Sequence, residues 1–198
     1  MNTIEENRRK GRRTLIGLFA LFFGPLLFAL AWYSFAPGYT PPSTPHGTLI
    51  EPAQPLEPFR LDSGGGETLT LETLRGQWYL VHFVPERCDA ACKERLYETR
   101  QVRDALGEDR SRVRRLVVAG AGRGTPGLEE VLEEHPRLLV MQGDGRSGFG
   151  RQFPVERSTD TVFVVDPNGN LMMRFAPDVP AADMLKDLEK LLKLSRIG

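Results

Sequence analysis

The first feature of the hydropathy pattern is an uninterrupted apolar run at residues 14–36, TLIGLFALFFGPLLFALAWYSFA, with no charge and no polar face. As a helix rising about 1.5 Å per residue it extends about 35 Å, enough to cross a hydrocarbon core, so one transmembrane helix is expected there. Pro25 sits mid-run, where lipid-embedded helices tolerate proline, and Trp32, Tyr33 and Phe35 close the run with rings that favour the membrane interface. A cleaved signal peptide is the competing reading, because Ala29-Leu30-Ala31 satisfies the small-x-small rule. The run is longer than the usual apolar segment of about 7–15 residues, which favours an uncleaved anchor.

Residues 37–58 are rich in proline among small and polar residues, a composition that favours extended chain and reads as a stalk. Beyond it, short apolar runs at 78–84 (WYLVHFV), 114–119, 137–141, 161–165 and 171–175 predict strands, the first four nearly continuous in apolar character as centrally buried strands are. Helical spacing of apolar residues appears at 90–106, 128–134 and 181–194, the last carrying Met184, Leu185, Leu188, Leu191 and Leu192. Asp166-Pro167-Asn168-Gly169 predicts an antiparallel hairpin between the last two strands. An α/β fold with a mixed sheet follows, in a single domain at 59–198.

Charge then gives direction. The chain of 198 residues balances 26 basic against 26 acidic side chains, but five basic ones crowd a head at residues 1–13 and none of either sign lies between 14 and 50. Basic residues before the span keep the N-terminus cytoplasmic, so the domain lies on the outer side, in a periplasm-like space. From residue 51 onward 21 basic and 24 acidic residues intermingle, which excludes an obvious nucleic-acid partner.

The chemistry is concentrated. Both cysteines fall in Arg87-Cys88-Asp89-Ala90-Ala91-Cys92, between the strand at 78–84 and the helix beginning near Ala90. A thiol before a helix feels the positive end of its dipole, Arg87 adds a cation and Asp89 opposes it, so Cys88 is the expected attacking thiolate of a solvent-facing pair. A four-residue separation brings the Cα atoms within bridging distance, so the pair suits a disulfide, a redox cycle or a shared metal ion. A purely structural disulfide would close too small a loop to be an effective staple. His82, on the strand leading into the pair, is the nearest candidate third ligand, although a buried strand histidine equally serves the core.

These residues carry a resemblance. Phe59-Arg60-Leu61-Asp62, the stretch from Leu69 to Trp78, the buried strand, the cysteine pair opening a helix and the Asp166-Pro167-Asn168-Gly169 hairpin are similar to a thioredoxin-like domain. The three residues between Cys88 and Cys92, together with the stretch from Leu96 to Gly107 and the order of anchor, stalk and domain, resemble the Sco/SenC membrane proteins associated with cytochrome c oxidase assembly. The resemblance implies a thioredoxin-like mixed sheet flanked by helices and work on the oxidase's copper centre. Its implied partners are oxidase subunits or other assembly factors. Cys88 and Cys92 are carried over as redox thiols or copper ligands, and the implied location is the bacterial inner membrane with a periplasmic domain.

The chain departs from that family where a copper-binding histidine is expected, about eight residues before the hairpin aspartate, for Ser158 stands there. Asp89 replaces the usual proline after the first cysteine, and no proline precedes Thr161 where a thioredoxin has its cis-proline. Two thiolates still suit Cu(I), whereas Cu(II) wants an imidazole. His46 and His135 are expected in solvent, Met172 and Met173 on opposite faces of a strand, and the basic run 110–115 at a solvated corner. The glycine pattern at 143–148 lacks the long helix that a dinucleotide site needs, since Pro154 follows. Three readings remain: a Sco-like assembly factor handling Cu(I) or the thiol state of the oxidase's copper site, a thiol–disulfide oxidoreductase, and a non-catalytic interaction module.

Overall fold

A computed structural model describes residues 3–35, 45–84, 86–120, 124–143, 148–154, 160–195 and 197. It divides into two units, residues 1–44 and 45–198. The first contains one helix, α1, Thr3–Phe35, with Pro25 inside it. Leu18, Phe19, Leu21, Phe22, Leu26 and Leu27 are all exposed around it, an apolar surface without a polar face. Counted over residues whose side chains are described, no helix is long and apolar enough to cross a membrane. The longest uninterrupted stretch of such residues in α1 is 15–28, which covers only part of the apolar run.

The second unit is one mixed eight-stranded sheet in the order β1-β8-β7-β4-β5-β6-β2-β3. Its strands are β1 (Thr48–Pro55), β2 (Arg60–Asp62), β3 (Thr68–Thr70), β4 (Trp78–Val84), β5 (Val113–Ala119), β6 (Leu138–Gln142), β7 (Val162–Val165) and β8 (Asn170–Phe175). The helices are α2 (Leu71–Leu74), α3 (Ala90–Ala105), α4 (Glu129–Leu132) and α5 (Ala181–Leu194). β4, β5 and β6 run parallel, as a strand–helix–strand crossover requires, and β7 and β8 return antiparallel on the other side of β4. Every residue of β4 is buried, which its unbroken apolar character foretold, while β8 alternates because it lies near an edge. The hairpin closes with Asp166 N donating to Asn170 O at 2.9 Å and with Gly169 at φ +86°, a conformation that a side chain would strain.

One face of the sheet holds Phe83, Phe149, Phe153 and Phe163, packed ring against ring with Leu61, Leu69 and Leu74. α3 and α5 cover the other, where Trp78, Leu80, Val164 and Phe175 meet Met184, Leu188 and Leu192. Met173 is core and Met172 only partly buried, as opposite strand faces demand.

One expectation is corrected and two are refined. The stalk is shorter, because residues 48–55 add β1 to the sheet against β8, and the compact unit starts at residue 45. His46 is exposed, as expected, and also paired: its Nδ1 lies 3.2 Å from Asp187 Oδ1 and its Nε2 3.5 Å from Asp183 Oδ1, on α5. The basic run 110–115 is a solvated corner only in part: Arg110, Ser111 and Arg114 are exposed, whereas Arg115 is buried and Arg112 donates to the carbonyls of Leu192 at 3.1 Å and Ser195 at 2.8 Å. The glycine pattern at 143–148 lies mostly outside the described residues, as does Ser158.

Candidate functional site: a covered cysteine pair

β4 delivers the chain to the edge of the parallel sheet, and residues 86–89 turn it into α3. Asp89 is the N-cap of that helix: its backbone is extended and its carboxylate accepts from Cys92 N at 3.0 Å. Aspartate at this position, read above as a charge opposing the thiolate and as a replacement for the usual proline, caps the start of the helix between the cysteines. Asp89→Ala is expected to cost about 1 kcal/mol of stability, measured by chemical denaturation. Restoration by Asp89→Ser would assign the cost to capping.

Cys88 and Cys92 are joined in a disulfide with Cα atoms 5.2 Å apart. The pairing allowed by their spacing is thus present, but the expectation that the pair faces solvent is corrected: Cys88 is 2 % and Cys92 1 % exposed. Both sulfurs belong to an apolar cluster with Val84, Leu96, Val117, Ala119 and Leu128. Leu128 comes from a segment 36 residues beyond Cys92 in the chain, and a contact over that separation leaves no mark in the local pattern around either cysteine. The segment predicted as a helix at 128–134 is only the single turn α4, and what precedes it wraps the cysteines. Cys88 N donates to Pro126 O at 2.9 Å, and Gly127, at φ +82°, passes so close that a Cβ there would lie 2.2 Å from the Cys88 carbonyl oxygen.

His82 is not brought to the sulfurs. Its Nε2 lies 3.2 Å from Thr99 Oγ1, and Thr99 stands seven residues past Cys92, about 10 Å further along the helix axis. Thr99 also donates to the Arg95 and Leu96 carbonyls. Burial, then the charges of Arg115 and Arg95, push the His82 imidazole down to about 3, so it is neutral. His135, expected in solvent, is buried, with Nδ1 3.0 Å from Arg115 Nη1. Arg115 in turn donates to Leu96 O at 3.1 Å. Two histidines and a buried arginine therefore brace α3 against the sheet.

Arg95, one turn past Cys92 and 3 % exposed, is the functional residue that the sequence pattern hid. Its guanidinium donates to the carbonyls of Asp160 (2.8 Å), Ala176 (2.6 Å) and Val179 (2.9 Å) and to Glu98 Oε2 (2.7 Å), tying the first turns of α3 to the loops flanking β7 and β8. An arginine among charged neighbours on a helix reads as solvated, so nothing in the sequence marked it.

As a metal site the residues fit narrowly. In the disulfide neither sulfur is a thiolate, and among the described residues no three His, Cys, Asp or Glu side chains gather as a metal site. Reduced, the pair offers two soft donors, which suit Cu(I) and do not suit Cu(II).

The profile of a family described as a transmembrane-like, thioredoxin-like, C-terminal domain matches residues 78–195, more than half of the chain. The chain belongs to this family. The companion transmembrane-like N-terminal domain matches residues 5–35, which lie within α1. No curated protein matches the chain. Solved structures similar to it include yeast Sco1 with copper bound, 18 % identical, covering 74 % of this chain and 96 % of that one at a TM-score of 0.62. Apo Sco1 from Thermus thermophilus is 21 % identical, with coverage of 78 % and 99 % and a TM-score of 0.58. BsSco, a member of the Sco family of cytochrome c oxidase assembly proteins in which a disulfide switch was identified, is 16 % identical, with coverage of 75 % and 99 % and a TM-score of 0.55. At these identities the likeness establishes the thioredoxin-like fold shared with Sco/SenC proteins.

Proposed function

We propose that this protein is a Sco-like assembly factor for cytochrome c oxidase, held in the bacterial inner membrane by α1 with its domain in the periplasm, that keeps the thiols of the oxidase's copper site reduced through Cys88 and Cys92. The observation that carries the reading is the disulfide itself, formed across the first turn of α3 in a family member whose fold is shared with Sco proteins. In the reduced protein the Cys88 thiolate attacks one sulfur of a client disulfide and releases the other as a thiolate. Cys92 then attacks Cys88, closing the Cys88–Cys92 bond and freeing the second client thiol. The client gains two electrons and the protein loses two, to be returned by a dithiol donor of the thioredoxin class. Cu(I), as cargo, would be held by the same two thiolates.

Cys92→Ala in the full, membrane-anchored chain is expected to accumulate a mixed disulfide through Cys88 with an oxidase subunit, absent in Cys88→Ser/Cys92→Ala. A Cys92→Ala chain that captures nothing under oxidase-expressing conditions overturns the redox reading. The burial of both sulfurs favours a second reading, an interaction module with a structural disulfide. That reading wins if Cys88→Ser/Cys92→Ala restores full oxidase assembly to a deletion strain.

A further inference from the structure

A disulfide that is to be reduced again must meet another sulfur, yet both sulfurs here are buried, and one short segment, residues 125–132, adds Leu128 to the strand and helix residues packed around them. We infer that residues 125–132 form a hinged cover over Cys88–Cys92, and that attack on this disulfide by an incoming thiolate, as in its reduction by the dithiol donor, waits on the cover's displacement; the inference rests on the redox role proposed above and adds its control.

Four features make the cover a separable element rather than part of the core. Its attachments are a short set: the Cys88 N to Pro126 O hydrogen bond, Leu128 against the sulfur cluster, the inward-packed Thr125 and Val131, and a Lys93 Nζ–Glu130 Oε2 ion pair at 2.5 Å, with Arg100 donating to Glu134 O just past its end. It has little structure of its own, since α4 is a single turn that cannot hold itself helical. It is bounded and interrupted by Gly124 at φ +70° and Gly127 at φ +82°, residues that reach either sign of φ without the strain a side chain would bring. And it borders open space: a cavity of about 350 Å³ is lined by Leu128 together with Thr125, Leu132 and the ends of β5 and β6 at Ala119, Val140 and Gln142.

Two of the attachments reach α3 itself, at Lys93 beside Cys92 and at Arg100. The cover is thereby fastened to the same helix that carries the resolving cysteine. When it is closed, Leu128 occupies the approach that an attacking sulfur needs. When it opens, the reducing step proceeds: a thiolate of the dithiol donor bonds to one cysteine sulfur while the other leaves as a thiolate, and the donor's second thiol then displaces the first cysteine and closes the donor's own disulfide. Reaction through such an opening runs at the intrinsic exchange rate multiplied by the open fraction.

The test is the rate at which tris(2-carboxyethyl)phosphine, and separately dithiothreitol, reduces the disulfide of the full chain in detergent, followed by thiol labelling. The intact protein should react at least about tenfold slower than the same protein in denaturant, as an equilibrium with a minor open state requires. Glu130→Lys, which sets two lysines against each other, should raise the rate about 2–5-fold, the factor that an exposed ion pair controls, and Lys93→Glu/Glu130→Lys should bring it back. Gly127→Ala, whose Cβ cannot fit against the Cys88 carbonyl, should raise it tenfold or more. Equal rates in native and denatured protein, or a Glu130→Lys rate that the charge swap does not restore, would overturn the cover. Because the probe is a small reductant, failure here leaves client capture by Cys92→Ala untouched, and failure of that capture leaves these rates interpretable.

Discussion

Replacing Arg95 with alanine is expected to lower the unfolding free energy by about 3–5 kcal/mol, the largest loss from any single polar substitution in the domain. Arg95 is 3 % exposed and gives its hydrogen bonds to three carbonyls and one carboxylate contributed by three parts of the chain: α3, the loop before β7 and the loop after β8. Removing it takes a donor from each of these at once and opens a void between α3 and α5, where Met184 packs close to the same guanidinium. Arg95→Lys should recover less than half of the loss, since an ammonium is a point donor and cannot span carbonyls set apart as the planar fork does. Urea denaturation of both variants decides the matter: a loss under about 1 kcal/mol for Arg95→Ala would show that these loops hold their positions without it.

Acid should destabilise the domain well before its carboxylates titrate. Burial holds the His82 imidazole down to about 3, and burial with the neighbouring Arg115 charge holds His135 down to about 4, whereas both titrate near 6.5 in an unfolded chain. Between those values the unfolded state binds protons that the folded state refuses, so stability rises with pH in this window and falls as pH drops through it. From pH 6.5 to pH 5 the two imidazoles together should cost about 3 kcal/mol. Carboxylates with depressed values, such as Asp183 beside Lys186, add their own loss only at lower pH. His82→Gln, which preserves a partner for Thr99 without a titrating group, should halve the slope between pH 6.5 and 5. An unchanged slope in that variant would refute this origin.

How the elements were legible follows from what each depends on. The strand at 78–84 and the helix at 181–194 could be read to the residue, because burial on two faces and burial on one helical stripe each impose a periodicity of their own. The strand β1 could not, since its prolines read as stalk and its pairing depends on β8, more than a hundred residues away. His135 ends a helix before a proline and so looks solvated, yet Arg115, on a different strand, draws it inside. The spacing of Cys88 and Cys92 allowed the disulfide, but their exposure was misjudged, because Leu128 and Gly127 approach from beyond the next strand.

By itself the sequence determined the order of parts, the apolar run that α1 makes helical, the mixed sheet and the reach of one cysteine to the other. All of these follow from local periodicity, composition and chain geometry. Only the tertiary structure decided that the sulfurs lie covered, that His82 serves Thr99 rather than the cysteines, and that Arg95 binds the loops around the site. These depend on which distant segments meet, and a contact across tens of residues is set by the packing of the whole sheet rather than by any pattern near the residues that make it.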